Sequence, residues 1–249
     1  MRKNAATIAW SVPALAVTPA PGEKLAANQT YTFWLLDAIK TTDPHKNSDV
    51  EGSDVIRQLF EGLLNEDAKG AIGRACAAQI PDNSSVILNI GTTTEAVAQA
   101  LLHHSNIMVV TNNMNVANIL LANPGCEIMV AGGALRRSDG GLTGELTTQF
   151  FEQFKVDFAV IGSSALDADG DLLDFDLAEV RVSRAILRQA RRSFLVTDHS
   201  KIGRPAPARI ASLSEMDSLF TDLPLPSDLA RRCAEWNTRV HICAPPAVG

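Results

Sequence analysis

No two cysteines in this chain stand close enough in sequence to share a metal or to begin a disulfide framework. The four present, Cys76, Cys126, Cys233 and Cys243, are scattered without a CxxC pair. They read as buried free thiols of a reducing compartment, which points to the cytoplasm. The five histidines also miss ligand spacing, since His103 and His104 are adjacent and would point apart on a helix. We therefore expect neither a metal nor a cofactor. Positive charge is in deficit: a formal net charge of -6 excludes a chain whose main surface is a nucleic-acid footprint. Long apolar runs are missing as well. No stretch approaches the ~18 residues of a membrane span, so no membrane partner is expected. What remains is 249 residues, 46% hydrophobic and 20% charged. That is a soluble globular composition, long enough for one large domain or two smaller ones.

The front of the chain differs from the rest. Residues 1–29 join Met1-Arg2-Lys3 to a short apolar stretch broken by Pro13, then to a Pro, Gly, Ala and Lys linker. This is a disordered leader or a weak secretory signal, the latter leaving an exported form as the alternative. Residues 30–36 alternate as a short strand would, with Tyr31, Phe33 and Leu35 on one side. Ser53 can cap a helix in which Val55, Ile56, Leu59, Phe60, Leu63 and Leu64 recur at helical spacing. A second helix is expected over 67–80, with Ile72, Ala75, Cys76 and Ile80 on one side.

From residue 86 a regular alternation begins. Strands are expected at 86–90, 107–111, 127–131, 157–162 and 193–197, with weaker ones at 218–221 and 239–242. Helices fall between most of them, at 93–103, 115–121, 147–154, 179–191 and 227–237. The fold class is α/β: a Rossmann-like, largely parallel sheet with helices on both faces. Ligands of such sheets bind beyond the carboxyl ends of the strands.

That rule singles out Ile87-Leu88-Asn89-Ile90-Gly91-Thr92-Thr93-Thr94-Glu95, a strand, a turn and a helix start. Gly91 lets the backbone come close, and Thr92, Thr93 and Thr94 add hydroxyls to the free N–H groups of the helix start. The natural guest is a phosphate. An ordinary N-cap is the plainer reading, but one threonine suffices for a cap. Later strand ends carry Thr111-Asn112-Asn113, then Gly132-Gly133 before Arg136-Arg137 and a flexible Ser138-Asp139-Gly140-Gly141. Beyond them come Gly162-Ser163-Ser164 and Asp198-His199-Ser200-Lys201. Each has a bland explanation as turn chemistry. Jointly they favour a pocket for a sugar or polyol phosphate, with Lys201 as a point charge. An isomerase on such a fold would need a general base. Glu179, Asp174 and Asp198 are the candidates, and nothing marks one of them as tuned.

From 67 to 243 these residues resemble the C-terminal effector-sensing domain of DeoR-family bacterial transcriptional repressors, with 244–249 as a tail. Within the family the similarity is greatest to the branch that answers to glycerol 3-phosphate. The matching pieces include Asn89-Ile90-Gly91-Thr92-Thr93, Val110-Thr111-Asn112-Asn113-Met114-Asn115, Ala131-Gly132-Gly133-Ala134-Leu135-Arg136, Asp139-Gly140-Gly141-Leu142-Thr143-Gly144-Glu145, Asp174-Phe175-Asp176, Glu179-Val180-Arg181 and Asp198-His199-Ser200-Lys201. The resemblance implies a fold shared with ribose-5-phosphate isomerase, a sugar-phosphate effector, self-association, and release of operator DNA when effector binds. It implies that the turn at 91–94 holds the phosphate. Asn112, Gly132, Gly133 and Lys201 would line the pocket, and Glu179 and Arg181 would stand at its rim. Two positions depart from the family pattern: Asn89 stands where an aspartate is common, and Ser183 where a lysine is usual.

The family's winged helix-turn-helix is not recognisable at the front. Residues 1–66 hold six Lys or Arg against eight Asp or Glu. The helix after Ser53 has Arg57 as its only basic residue, where a recognition helix needs several. Residues 30–66 instead resemble the N-terminus of peptide-binding proteins of ABC importers, through Asp43-Pro44-His45-Lys46 and Leu59-Phe60-Glu61-Gly62-Leu63-Leu64. The chain thus reads as a join with its seam at 65–69. Binding of operator DNA, expected for the family, is not expected of this chain. An extracytoplasmic solute-binding protein is a third reading, but it would need two full lobes around a cleft.

Overall fold

The computed structural model describes residues 5–9, 30–34 and 62–243 of the chain. Its contacts divide into two units, Met1–Leu64 and Asn65–Gly249. In the first, β1 (Ala5–Ala9) pairs antiparallel with β2 (Thr30–Trp34), Ala5 opposite Trp34 and Ala9 opposite Thr30. The strand expected at 30–36 is therefore present, and its partner comes from the stretch read as a leader. The expected Ser53 helix lies outside the described residues up to 61.

The second unit follows the expected alternation. From Gly62 the chain runs α1 (Gly62–Ala77), β3 (Ser85–Leu88), α2 (Thr92–Ala100), β4 (Ile107–Thr111), α3 (Met114–Leu120) and β5 (Cys126–Val130). Next come β6 (Ala134–Arg136), β7 (Gly141–Thr143), α4 (Glu145–Phe151), β8 (Val156–Ile161), β9 (Ala165–Leu166), β10 (Asp171–Asp174) and α5 (Leu177–Arg188). The last elements are β11 (Ala190–Val196), β12 (Ala208–Ser212), β13 (Ser218–Thr221), α6 (Ser227–Trp236) and β14 (Arg239–Ile242). Seven strands form one sheet in the order β14-β13-β11-β8-β3-β4-β5, every pair parallel. α1 begins five residues ahead of the expected position.

Two features went unanticipated. β6 and β7 form a hairpin where a flexible loop was expected, and β12-β10-β9 form a small antiparallel sheet. Their strands have two to five residues each. That is too short for a period of two to show against the flanking turns.

Both faces of the parallel sheet are covered, so its strands read as apolar runs. Alternate residues of one strand serve opposite layers: Ile87 packs with Ile161, Leu195 and Ile186 of α5, while Val86 and Leu88 pack with Ile72, Cys76 and Val97. On the second face α1 lies directly on α2. A Cβ at Gly73 would fall 2.5 Å from the backbone carbon and oxygen of Ala96, so only glycine permits that approach. His104 closes the end of α1, its Nε2 lying 3.0 Å from the Ile80 carbonyl oxygen. Cys76, Cys233 and Cys243 are buried and all four thiols are free. Burial pushes the Cys76 thiol far above its ordinary value. Among the described residues no helix is long and apolar enough to cross a membrane. Nor does any cluster of His, Cys, Asp and Glu among them suit a metal.

Candidate functional site

The turn after β3 is built by Asn89. Its backbone carbonyl accepts the Thr94 hydroxyl at 2.7 Å, and its side-chain oxygen accepts the Ile90 N–H at 2.7 Å. The Thr94 hydroxyl also reaches the Gly91 carbonyl at 2.6 Å. Gly91 sits at φ 141, in the region that favours glycine. The first helical bond of α2 is Glu95 N–H to Gly91 O, so the N–H groups of Thr92, Thr93 and Thr94 precede the ladder. No side chain caps them. The plain N-cap reading therefore fails on geometry. Thr94 is spent on the turn, while the Thr92 and Thr93 hydroxyls donate to nothing among the described residues.

Around this turn the neighbouring strand ends close a ring of hydrogen bonds. Asn113 caps α3 and donates from Nδ2 to Glu95 Oε1 at 3.1 Å. Asn115 donates to the same oxygen at 3.0 Å and to the Asp139 carbonyl at 3.3 Å. The β6–β7 hairpin lies along the end of β4, with Met114 N–H on the Gly140 carbonyl and Leu142 N–H on the Asn112 carbonyl. Arg136 in the hairpin binds Asp139, Asp176 and Glu179 together, at 2.5, 2.9 and 2.6 Å. Asp176 and Glu179 begin α5, and Ser183 on that helix accepts from Asn89 Nδ2 at 2.8 Å. The ring thus returns to the turn where it started.

Its charges are unequal, three carboxylates sharing one guanidinium. Burial, above all, raises the Glu179 carboxyl despite Arg136. The Arg136 hydrogen bond, above all, lowers Asp139, and the carboxylates in turn raise Arg136. Within the ring Asn112 is fully buried. Its Nδ2 serves the Leu142 carbonyl at 2.9 Å, which fixes the orientation of the amide and leaves Oδ1 without a partner.

The other expected residues divide. Thr111 is buried with its hydroxyl on the Leu88 carbonyl at 2.7 Å, a bond within the sheet. Gly132 is exposed, and its carbonyl accepts the Thr147 hydroxyl. Gly133, at φ 149, has room for no side chain, since a Cβ would fall 2.2 Å from Thr147 Oγ1. Asp198 caps the short turn at 199–201, accepting the N–H and the hydroxyl of Ser200. Lys201 is half-buried and pairs with no carboxylate among the described residues. Arg181 does not join Glu179. Two residues along a helix are about 200° apart, and Arg181 points outward. Asp174, one of the candidate bases, is buried and holds the N–H groups of Phe175 and Asp176.

Sequence reasoning missed Glu95, Asn115 and the joint role of Arg136, Asp139 and Asp176. Ser138-Asp139-Gly140-Gly141 was expected to be flexible; instead Asp139 is held by Arg136. A hollow of about 640 Å³ lies apart from the strand ends, between α1 and α2, lined by Lys69, Arg74, Gln99 and His103 and touching the turn only at Thr92 and Glu95. The strand-end cluster is distinguished by its unbonded donors rather than by enclosed volume.

Over residues 64–223 the chain matches the family model of the DeoR C-terminal sensor domain. It is 46% identical over 177 residues to the glycerol-3-phosphate regulon repressor of Escherichia coli (strain K12), covering 71% of this chain and 70% of that protein. The glycerol-3-phosphate regulon repressor of Haemophilus influenzae is 44% identical over 197 residues, covering 79% and 75%. Among solved structures, ribose 5-phosphate isomerase A from Methanocaldococcus jannaschii aligns with a TM-score of 0.41 at 12% identity, covering 55% of each chain.

Proposed function

The chain belongs to the DeoR family of transcriptional regulators and carries that family's sensor domain, and from this premise we propose that the domain binds glycerol 3-phosphate or a closely related polyol phosphate. The observation that carries the reading is the turn at 91–94. Three consecutive N–H groups at the start of α2 lack side-chain caps, the Thr92 and Thr93 hydroxyls are uncommitted, and a glycine clears the approach. A helix start with free donors and the positive end of its dipole suits a phosphate. Lys201 supplies the counter-charge. Gly132 and Gly133 keep side chains away from the floor, while Asn112 Oδ1 offers an acceptor to a hydroxyl. Effector at the turn would press on Asn89, hence on Ser183 and α5, and so on the ring as a whole.

The test is a calorimetric titration with glycerol 3-phosphate, glycerol and inorganic phosphate. Glycerol 3-phosphate binds and glycerol does not. Thr93→Val and Lys201→Ala each weaken binding about tenfold or more. Absence of binding by any phosphorylated polyol in a protein that melts cooperatively overturns the reading. An isomerase is disfavoured because Asp174 and Asp198 are committed to turns and Glu179 to Arg136.

In this reading the regulator works in the cytoplasm. Residues 1–66, where acid outnumbers base, do not read an operator in this proposal. Sequence-specific, nanomolar retention in a gel shift would overturn that part alone.

A further inference from the structure

The two ends of the proposed effector site are unequally open. At the phosphate end Thr92 is exposed and Lys201 half-buried. At the polyol end Asn112 is 0% exposed, so the acceptor offered by its Oδ1 is enclosed. What lies across it is the β6–β7 hairpin. Leu142 of β7 donates its N–H to the Asn112 carbonyl at 2.7 Å, and its own carbonyl accepts from Asn112 Nδ2 at 2.9 Å. Beside it, Gly141 is bridged to Asn113 and lies so near the turn that a Cβ on it would fall 2.5 Å from Ile90 Cδ1. Yet the hairpin is lightly held. Leu135 is 56% exposed, and Leu142, though buried, joins neither core cluster among the described residues. At the tip the Gly140 carbonyl accepts the Met114 N–H at 2.9 Å, and Arg136 reaches Asp176 and Glu179 at the start of α5. The two stems, by contrast, are both anchored on α4. Thr147 donates its hydroxyl to the Gly132 carbonyl at 2.7 Å, and Thr148 donates its N–H to the Gly144 carbonyl at 3.1 Å. Gly133 and Gly144, at φ 149 and 111, stand where the stems meet the strands. A segment with few buried apolar contacts and exposed hydrogen bonds opens locally, well short of global unfolding. Stems that turn at glycines suit a hinge.

We propose that the β6–β7 hairpin is a lid on the polyol end of the site, which lifts from Asn112 and from α5 on its glycine stems to admit the effector. The proposal rests on the effector reading above and adds an order of events to it. The phosphate meets the open turn while the lid is down. The hydroxyls reach Asn112 only after Leu142 has released it, and the lid then closes over the ligand. Arg136 is the latch, because it ties the moving tip to a helix that does not travel with it. Lids of this kind gate access to a site and shut water out of it. Their opening is a pre-existing equilibrium that a ligand biases only through contacts made in one of the two states. Here Asn112 is the group whose partner changes between those states.

The test is hydrogen exchange of the full chain. It is read at the N–H groups of Leu142 and Met114, both bonded across the lid contact, against those of β3. In the free protein the two are expected to exchange about tenfold or more faster than β3. Arg136→Met speeds them by about a further tenfold and leaves β3 as it was. Saturating glycerol 3-phosphate slows them about tenfold or more. Inorganic phosphate, which engages the open turn alone, does not. Exchange at Leu142 and Met114 as slow as in β3 overturns the proposal, since the hairpin then opens only with the whole domain. Equal slowing by inorganic phosphate also overturns it, because the hairpin then answers to the phosphate end. So does binding of glycerol 3-phosphate without any slowing. A flat calorimetric titration overturns the effector reading, and with it the lid's guest, while exchange in the free protein still decides whether the hairpin opens.

Discussion

α5 is tied to the candidate site at two places, and the two ties are of opposite kinds. At its start the link is ionic and half-exposed: Asp176 and Glu179 meet Arg136 of the hairpin. In its middle the link is neutral and buried: Ser183 accepts from Asn89 beneath the turn. The ionic tie has more bonds, but water and salt screen it, and pairs of this exposure contribute about 0.2–1 kcal/mol each. The neutral tie has one bond between fully enclosed groups, and losing either partner strands the other at about 1–3 kcal/mol. The smaller contact should therefore matter more. Both are also positions at which the resemblance implies other residues, an aspartate for Asn89 and a lysine for Ser183. The two departures touch, so a neutral pair occupies a buried place where the resemblance implies a charged one. A neutral pair there is independent of salt and of pH, which leaves Arg136 and its carboxylates as the adjustable end of the helix.

The comparison breaks most sharply at Asn89. Replacing it by leucine removes the acceptor for the Ile90 N–H and the donor to Ser183 together. Two stranded buried groups imply a loss of about 3 kcal/mol or more, read in urea unfolding, with effector binding weakened alongside. A loss below about 1 kcal/mol would show that the buried tie is not the stronger one. Gly91→Ala follows. At φ 141 a Cβ meets no hard clash, its nearest neighbour being Thr94 Oγ1 at 3.6 Å, but the backbone conformation is strained. The cost is about 1–3 kcal/mol. Calorimetry should show a larger loss of effector affinity than Asn89→Leu does for the same loss of stability, because the residue adjoins the free donors.

Next in size is Arg136→Met. It leaves Asp139, Asp176 and Glu179 without their shared cation, but each is partly solvated. A loss of about 1–2 kcal/mol is expected, most of it relieved at low pH as the carboxylates take up protons. Hydrogen exchange should speed up in the β6–β7 hairpin and leave the N–H groups of β3 unchanged. Equal acceleration in both would mean that the two ties are one cooperative unit.

The legibility of this chain follows the same division. The parallel strands could be read because runs such as Ile87-Leu88 and Val109-Val110 are buried on both faces and bounded by turn residues. The turn at 91–94 could be read because its donors are consecutive in sequence. The ring could not. Its bonds join Arg136 to Asp176 and Glu179 across 40 and 43 residues, and Asn89 to Ser183 across 94. Only the folded sheet brings them together. Asn89 and Ser183 were each visible as departures implied by the resemblance, but that they touch is a statement about contact. Arg181 misled because adjacency in a motif hides the half-turn that separates it from Glu179.

The smallest expected effect tests the adjustable end by pH. Glu179 is raised above its ordinary 4.5, chiefly by burial, so the folded state holds this proton more tightly than the unfolded chain does. Its contribution is present below 4.5 and is lost as pH rises through the folded value. Asp139 is the opposite case. It is lowered below its ordinary 3.8, chiefly by Arg136, so its contribution is present above 3.8 and lost as pH falls. Glu179→Gln removes the first slope and keeps the second. The variant should gain on the parent as pH rises from 4.5 toward neutrality, by about 1 kcal/mol or less. At pH 4 the two should lie close together, because the parent's Glu179 is then protonated in both states. Melting curves of both proteins across this range, at low salt and again in about 1 M salt, where screening is strongest, separate burial from charge. A gain that survives salt comes from desolvation of Glu179. One that vanishes with salt comes from the neighbouring Asp174 and Asp139 instead, and the ionic tie would then be governed by repulsion within the ring rather than by its distance from water.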